Sequence, residues 1–465
     1  MTGIIRNGAI LRYIKSFFVI IFFTALLINP TLTFSEEKEE TSSHFKLKNG
    51  LEVFLHKKTT LPITNFLFAF NVGTKNESEK TNGVVHILEH CILFRGTKFV
   101  SDEDFGNEIR RHGAYYNAHT SRDISTFEMV LPSEYNEFAI KTLKEILFDF
   151  NLKQKDLDDE KKVIIEELNN TKDDPYKKAM TVVYQNLFKG HPYQNSVYGR
   201  IDIIQELTAE EVMEFYHTYF VPSNGALAVV GDFSLKKMEE KIRTILGDIT
   251  KKSPFEPQEF QKAKPMEKTI KTEIKMDVEM GYLAMGLNAP GYNSVDQYAA
   301  DLLTEIFGRG FNPLLNQPLM RRRITAHSLR MGYTSDKYGG ALIIFIGLDP
   351  KDINTAESEI KKYLNTSRRL NYSKSDYISD ARYQAFDILK SAKNRIKFNS
   401  ELAEEQGFQI AYSLVRFMLI NEMDERGNYL DEIEKLSSSD IRSAAAQYLS
   451  KNEKVIVKIL PEEKK

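Results

Sequence analysis

The chain has 465 residues, 42% of them apolar and 28% charged, with 63 basic and 65 acidic side chains. Composition this close to the globular average excludes a disordered, collagen-like or disulfide-framework protein, and the length calls for two or three domains of about 100–200 residues. A net charge of −2 argues against a nucleic-acid-binding surface, and the one cysteine, Cys91, cannot form an internal disulfide.

Arg6, Arg12 and Lys15 precede an apolar run from Phe17 to Ile28, and no acid occurs before Glu36. A positive start, an apolar stretch shorter than the roughly 20 residues of a bilayer span, and small polar residues after it have the form of a secretory signal over residues 1–35. The protein is therefore expected to be exported, to the bacterial periplasm. An uncleaved segment anchoring the chain outside the cytosol is the alternative, and membrane contact is expected only in that case.

His44 to His56 alternates apolar and polar residues around Asn49-Gly50, which predicts a hairpin. An apolar strand follows from Ile63 to Val72, then a helix over about 81–94 and a charged helix opened by Ser101 and stopped near Gly113. Tyr115 to Leu131 reads as extended, and helical patterns cover about 133–150, 155–172 and 175–189. A helix from Leu207 to Tyr219 has Thr208 as N-cap with Glu211 completing a capping box, and Ala226 to Val230 is a buried strand.

Residues 250–266 hold three prolines among many charges and read as a linker. The pattern then restarts with a strand from Gly281 to Ala289, a helix from Asp296 to Phe307, strands near 326–333 and 341–348, and several long helices. LTAEEVMEFYHTYF from Leu207 is echoed by LSSSDIRSAAAQYL from Leu436, and a strand follows each. This predicts a duplicated α+β architecture, with domains at 41–249 and 267–465. Chance likeness between two capped amphipathic helices is the alternative.

His86-Ile87-Leu88-Glu89-His90 lies within the first long apolar helix. Residues at i, i+3 and i+4 share a face with Cβ atoms about 5–6 Å apart, so both imidazoles can reach one ion. Val84, Val85, Ile87, Leu88 and Ile92 make the rest of the helix apolar. Three polar groups buried there need a partner, and a metal supplies one. A catalytic zinc takes a third protein ligand and keeps one position open. In DLDDEKKVIIEELNN, Glu160, Ile164 and Glu167 fall at i, i+4 and i+7 on one face. That phase favours Glu167 as ligand and Glu160 as an acid behind the ligands, while Glu166 shares a face with Lys162. A charged helix facing water is the alternative for this segment.

HILEHCILFRGT resembles the inverted zinc-binding signature of the pitrilysin, insulinase and processing-peptidase metallopeptidases. That family takes its third ligand from a V-x-x-E-E-like helix, and here Glu167 lies 77 residues past His90 in VIIEEL. The likeness continues through GAYYNAHTSRDISTFEMVLP, HPYQNSVYG and YHTYFVPSNGALAVVGDF, and more weakly into the second half through ARYQAF and the terminal helix and strand. It implies two homologous α/β-sandwich domains of the LuxS and processing-peptidase metallohydrolase fold, one half of a clamshell.

The resemblance further implies a peptidase with one Zn2+ per chain, held by His86, His90 and Glu167. Glu89 would take the proton of water, and Glu160 would orient a ligand imidazole. Substrate would lie along the strand at Asn117 and Ala118. Many family members carry an Arg and a Tyr six residues apart in the second domain. Here Arg321 matches the first and His327 stands in the Tyr place, making them the corresponding substrate contacts. Cys91 stands where Met is common. Family members enclose substrate between two such pairs of domains, and this chain supplies one pair. The resemblance therefore implies a dimer, of this chain or with a related subunit, acting on short or unfolded peptides. A non-catalytic peptide-binding subunit is the alternative, and the complete His86, Glu89, His90 and Glu167 set argues against it.

Overall fold

The computed structural model describes residues 41–95, 102–250, 255–310, 313–373, 387–420, 428–450 and 453–462. The signal segment 1–35 and the ARYQAF motif lie outside the described residues. Ser42–Lys465 form one compact unit. No helix among the described residues is long and apolar enough to cross a membrane.

The first sheet is built from β1 (Ser42–Lys46), β2 (Glu52–Lys57), β3 (Ile63–Phe70), β4 (Tyr115–Thr120), β5 (Ser125–Pro132) and β6 (Gly225–Gly231), in the order β1-β2-β6-β3-β5-β4. Only the β2–β6 pair is parallel. The expected hairpin pairs Ser42 with His56 and turns at Gly50, whose φ of +92° is the left-handed conformation that glycine adopts without strain.

The second sheet repeats this plan. It contains β7 (Ile270–Met276), β8 (Gly281–Ala289), β9 (Ala326–Asp336), β10 (Gly339–Leu348) and β11 (Lys454–Pro461), in the order β7-β11-β8-β10-β9. Strands β2 to β6 correspond one to one with β7 to β11, down to the parallel pair β7–β11. The echoed helices match as well. Thr208 with Glu211 and Ser437 with Asp440 both form capping boxes, and β6 and β11 follow them. The structure is thus an α+β duplication, as the echo in the sequence implied.

Side chains of β3 alternate between two partners, as the period of a strand requires. Phe66, Phe68 and Phe70 pack into a core with the first half's own helices, including Leu88, Ile92, Leu143 and Tyr216. Leu67 and Ala69 face the other way, with Ala226 and Ala228 of β6, against Ile410, Leu414 and Met418. Those three belong to helix Gly407–Ile420 of the second half. The exchange is reciprocal: Ala179, Val183 and Leu187 of helix Pro175–Leu187 cover Ala284, Ala341 and Val457 of the second sheet. Gly286 permits the close approach, since a Cβ there would meet Val183 at 2.3 Å.

The proline-rich segment, where described, is not a free tether. Ala263 N–H donates to the Tyr338 carbonyl at 2.7 Å, and Glu259 accepts from Lys337 and the Tyr338 hydroxyl, both at 2.9 Å. Two helices that the sequence pattern left unmarked, Ile201–Glu206 and Leu235–Leu246, complete the first half.

Candidate metal centre

Helix Val84–Phe94 starts at Gly83, whose φ is +110°. No side chain caps it from that position; instead the buried Glu77 carboxyl accepts the Val85 N–H at 3.0 Å and the Asn82 amide at 2.7 Å. Apart from His86, Glu89 and His90 the helix is apolar and it is largely buried, with His86 only 6% exposed. Cys91 is buried in the core beside it.

The two imidazoles stand 4.8 Å apart, centroid to centroid, with planes at 87°. His86 Nδ1 donates to the Tyr198 carbonyl at 3.1 Å, and His90 Nδ1 lies 3.2 Å from Glu160 Oε2. A carbonyl and a carboxylate accept, so the protons sit on Nδ1 and both Nε2 lone pairs are left for another partner. Those Nε2 atoms lie 3.7 and 3.6 Å from Glu167 Oε2. One ligand atom from each of the three residues falls within 4.8 Å of the others. Two atoms bonded to one zinc at about 2.0–2.1 Å stand about 3.3 Å apart, so the set fits the ion with small adjustments.

Helix Gln154–Lys172 brings the acids. Ile164 is fully buried in the core, and Glu160 and Glu167 flank it on the same face. Glu160 is 3% exposed and also receives Arg95, at 2.5 Å. Burial pushes its carboxyl up, but the hydrogen bond from His90 and the Arg95 charge outweigh this and hold it below its ordinary value. Burial, with the neighbouring His90, lowers the His86 pKa, which favours the neutral imidazole a metal needs. Glu89 is half-buried on the same helix, close enough to oppose that lowering electrostatically. Glu166 is exposed, and Lys162 bonds Asp159 at 2.9 Å rather than Glu166, because the i−3 acid lies on the nearer side of the turn.

Asn117 and Ala118 lie on β4, the edge of the first sheet, paired on one side with β5 only. Asn117 is exposed and Ala118 points into the core. The Tyr116 hydroxyl donates to the Leu93 carbonyl at 3.2 Å, which ties this edge to the histidine helix. Arg321 and His327 belong to the second half. Arg321 ends helix Asn316–Arg321, and His327, on β9, lies 3.6 Å from Asp349. The geometry gathers His86, Glu89, His90, Glu160 and Glu167, and these two stand outside that group. Tyr198 and Arg95 are the contributors that sequence reasoning passed over.

An α+β duplication with paired imidazoles and a carboxylate at one point has the form of a metal-binding protein. The profile described as insulinase (peptidase family M16) matches residues 52–200, and that described as peptidase M16 inactive domain matches residues 206–377. The chain belongs to peptidase family M16, the insulinase family. It is 25% identical over 424 residues to a Helicobacter pylori protein named zinc protease PqqE, spanning 89% of this chain and 92% of that one. The fold matches the crystal structure of a protease from Helicobacter pylori with a TM-score of 0.80 at 23% identity, covering 90% of this chain and 99% of that one. It also matches the periplasmic protease PqqL from Escherichia coli with a TM-score of 0.71 at 17% identity, over 91% of this chain but 48% of that one.

Proposed function

We propose that the chain is an exported zinc endopeptidase that hydrolyses short or unfolded peptides. The observation that carries this reading is the convergence of His86, His90 and Glu167 with both Nδ1 atoms already committed elsewhere. His86, His90 and Glu167 would hold one zinc ion. When bound, zinc supplies positive charge that draws the pKa of water toward 7 and polarises a carbonyl. Glu89 takes the proton of the attacking water and passes it to the leaving amine. Glu160 and the Tyr198 carbonyl hold the imidazoles in the ligating tautomer.

The open edge of β4 aligns an extended peptide by main-chain hydrogen bonds, with Asn117 beside it. Arg321 and His327 contact substrate from the second half. Export by residues 1–35 is supported by their charge and apolar pattern, and by the periplasmic neighbour. Assembly as a homodimer, or with a related subunit, is supported by a neighbour about twice this chain's length, of which the chain matches 48%.

The test is cleavage of an unstructured peptide pool by the zinc-loaded chain beside Glu89→Gln. Turnover that disappears in the variant, with zinc content unchanged, supports the assignment. Equal turnover in both overturns it, and tight peptide binding without cleavage by the native chain would assign a non-catalytic peptide-binding subunit.

A further inference from the structure

The second half holds a cavity of about 600 Å³, walled by helices Gln297–Gly308, Ile388–Glu404 and Gly407–Ile420 and by the end of β9. These are the counterparts of the elements around the metal centre. Helix Gln297–Gly308 even repeats the i, i+3, i+4 spacing with Asp301, Thr304 and Glu305. Arg395 reaches Glu305 from the neighbouring helix, as Glu160 reaches His90, at 3.2 Å, and Arg309 lies 2.9 Å from the same carboxylate. Two guanidinium groups thus satisfy Glu305, and no metal is needed there.

Asp301 is different. One of its oxygens accepts the Tyr429 hydroxyl at 2.9 Å. Among the described residues, no cationic group lies within ion-pair distance of Asp301, nor of Asp336, which lines the same cavity. Burial is the main cause that pushes both carboxyls up to about 6, and the more distant Arg309 and Arg416 at Asp301, and Arg122, Arg416 and Lys75 at Asp336, only partly offset it. Arg416, the cation in this wall, is committed to the Ser335 carbonyl and stacks over the Tyr292 ring at 4.6 Å. The stack also shows that these aromatic faces accept a guanidinium.

We propose that this cavity binds a basic side chain, a guanidinium or primary ammonium presented by a peptide, between the Asp301 and Asp336 carboxylates and the tyrosine rings. The volume suits an organic cation. A bare metal ion would need several ligands converging on one point, and among the described residues Asp301 and Asp336 belong to no such group of three. The site does not involve zinc, so it stands or falls separately from the peptidase assignment.

The experiment is calorimetric titration of Nα-acetyl-arginine amide and Nα-acetyl-lysine amide into the full chain, zinc-loaded and zinc-free, with the uncharged citrulline analogue as control. Saturable binding of at least one cationic compound, equal with and without zinc, is expected. Asp301→Asn or Asp336→Asn should weaken it about tenfold or more. A single cooperative thermal transition at or above the wild-type temperature in either variant separates this from misfolding. No saturable binding, citrulline binding as tight as arginine, or unchanged affinity in both variants would overturn the proposal.

Discussion

Asp123 and Lys337 meet across the two halves, the Asp123 carboxylate accepting the Lys337 backbone N–H at 2.7 Å. They sit in equivalent places, the β4–β5 turn and the β9–β10 turn. The other Asp123 oxygen accepts the Tyr193 hydroxyl at 2.6 Å, and Lys75, 3% exposed, lies 3.4 Å from the same carboxylate. The open edge of β4 is therefore fixed relative to the second half by a buried polar knot.

Removing the centre of that knot leaves a buried ammonium without its counter-ion. Asp123→Ala is expected to cost about 3–5 kcal/mol of stability, read by urea unfolding. A loss under about 1 kcal/mol would show that the two turns are not coupled in this way.

The acids of helix Gln154–Lys172 should separate into three grades. Glu167→Gln removes the carboxylate proposed as third ligand and should abolish stoichiometric zinc. Glu160→Gln leaves the ligands but loses the charge that orients His90 and meets Arg95, so zinc affinity should fall about 10–100-fold. Glu166→Gln, at an exposed position, should change nothing. Competition with a chromogenic chelator reads all three.

Asp301 gives a pH signature whose sign follows from linkage. Its carboxyl is raised from 3.8 to about 6 in the folded chain, so folding favours the protonated form. The resulting penalty is absent below pH 3.8 and complete above about pH 6. Asp301→Asn, which still accepts from Tyr429, should therefore unfold at a higher temperature than wild type at pH 7.5. That advantage should shrink at pH 5. Scanning calorimetry at the two pH values decides it, and an advantage independent of pH would refute the assignment.

What could be read from the sequence was what depends on local spacing. His86 and His90 are one helical turn apart, and the Glu160–Ile164–Glu167 phase follows from 3.6 residues per turn. Strand β8 was delimited to the residue by its continuous apolar run. Tyr198 escaped notice although HPYQNSVYG was singled out, because it acts through a carbonyl, and a backbone acceptor leaves no trace in residue identity. Strand β7, IKTEIKM, alternates apolar and charged residues at the sheet edge, yet follows the proline-rich segment so closely that the pattern was not marked. Helix Gly407–Ile420 is plainly apolar, but nothing local says that the sheet it covers begins more than 300 residues earlier.

That distant packing predicts the behaviour of the separated halves. Residues 42–249 alone would bare Leu67, Ala69, Ala226 and Ala228, and residues 267–465 alone would bare Ala284, Ala341 and Val457. Each should be insoluble or molten when expressed by itself, and the two should form a soluble pair when co-expressed. A soluble, cooperatively unfolding isolated half would count against the exchange as a source of stability.

The two exchanged helices also bear on how such a duplicated chain can change over time. The half without the paired histidines is retained by packing, whatever its own chemistry, because its helix Gly407–Ile420 roofs the sheet of the histidine-bearing half. Drift should therefore be slow at Ile410, Leu414 and Met418 and fast on that half's outward faces. Trimming the chain to its metal-bearing part is closed to selection, since the first step would expose the floor of the fold.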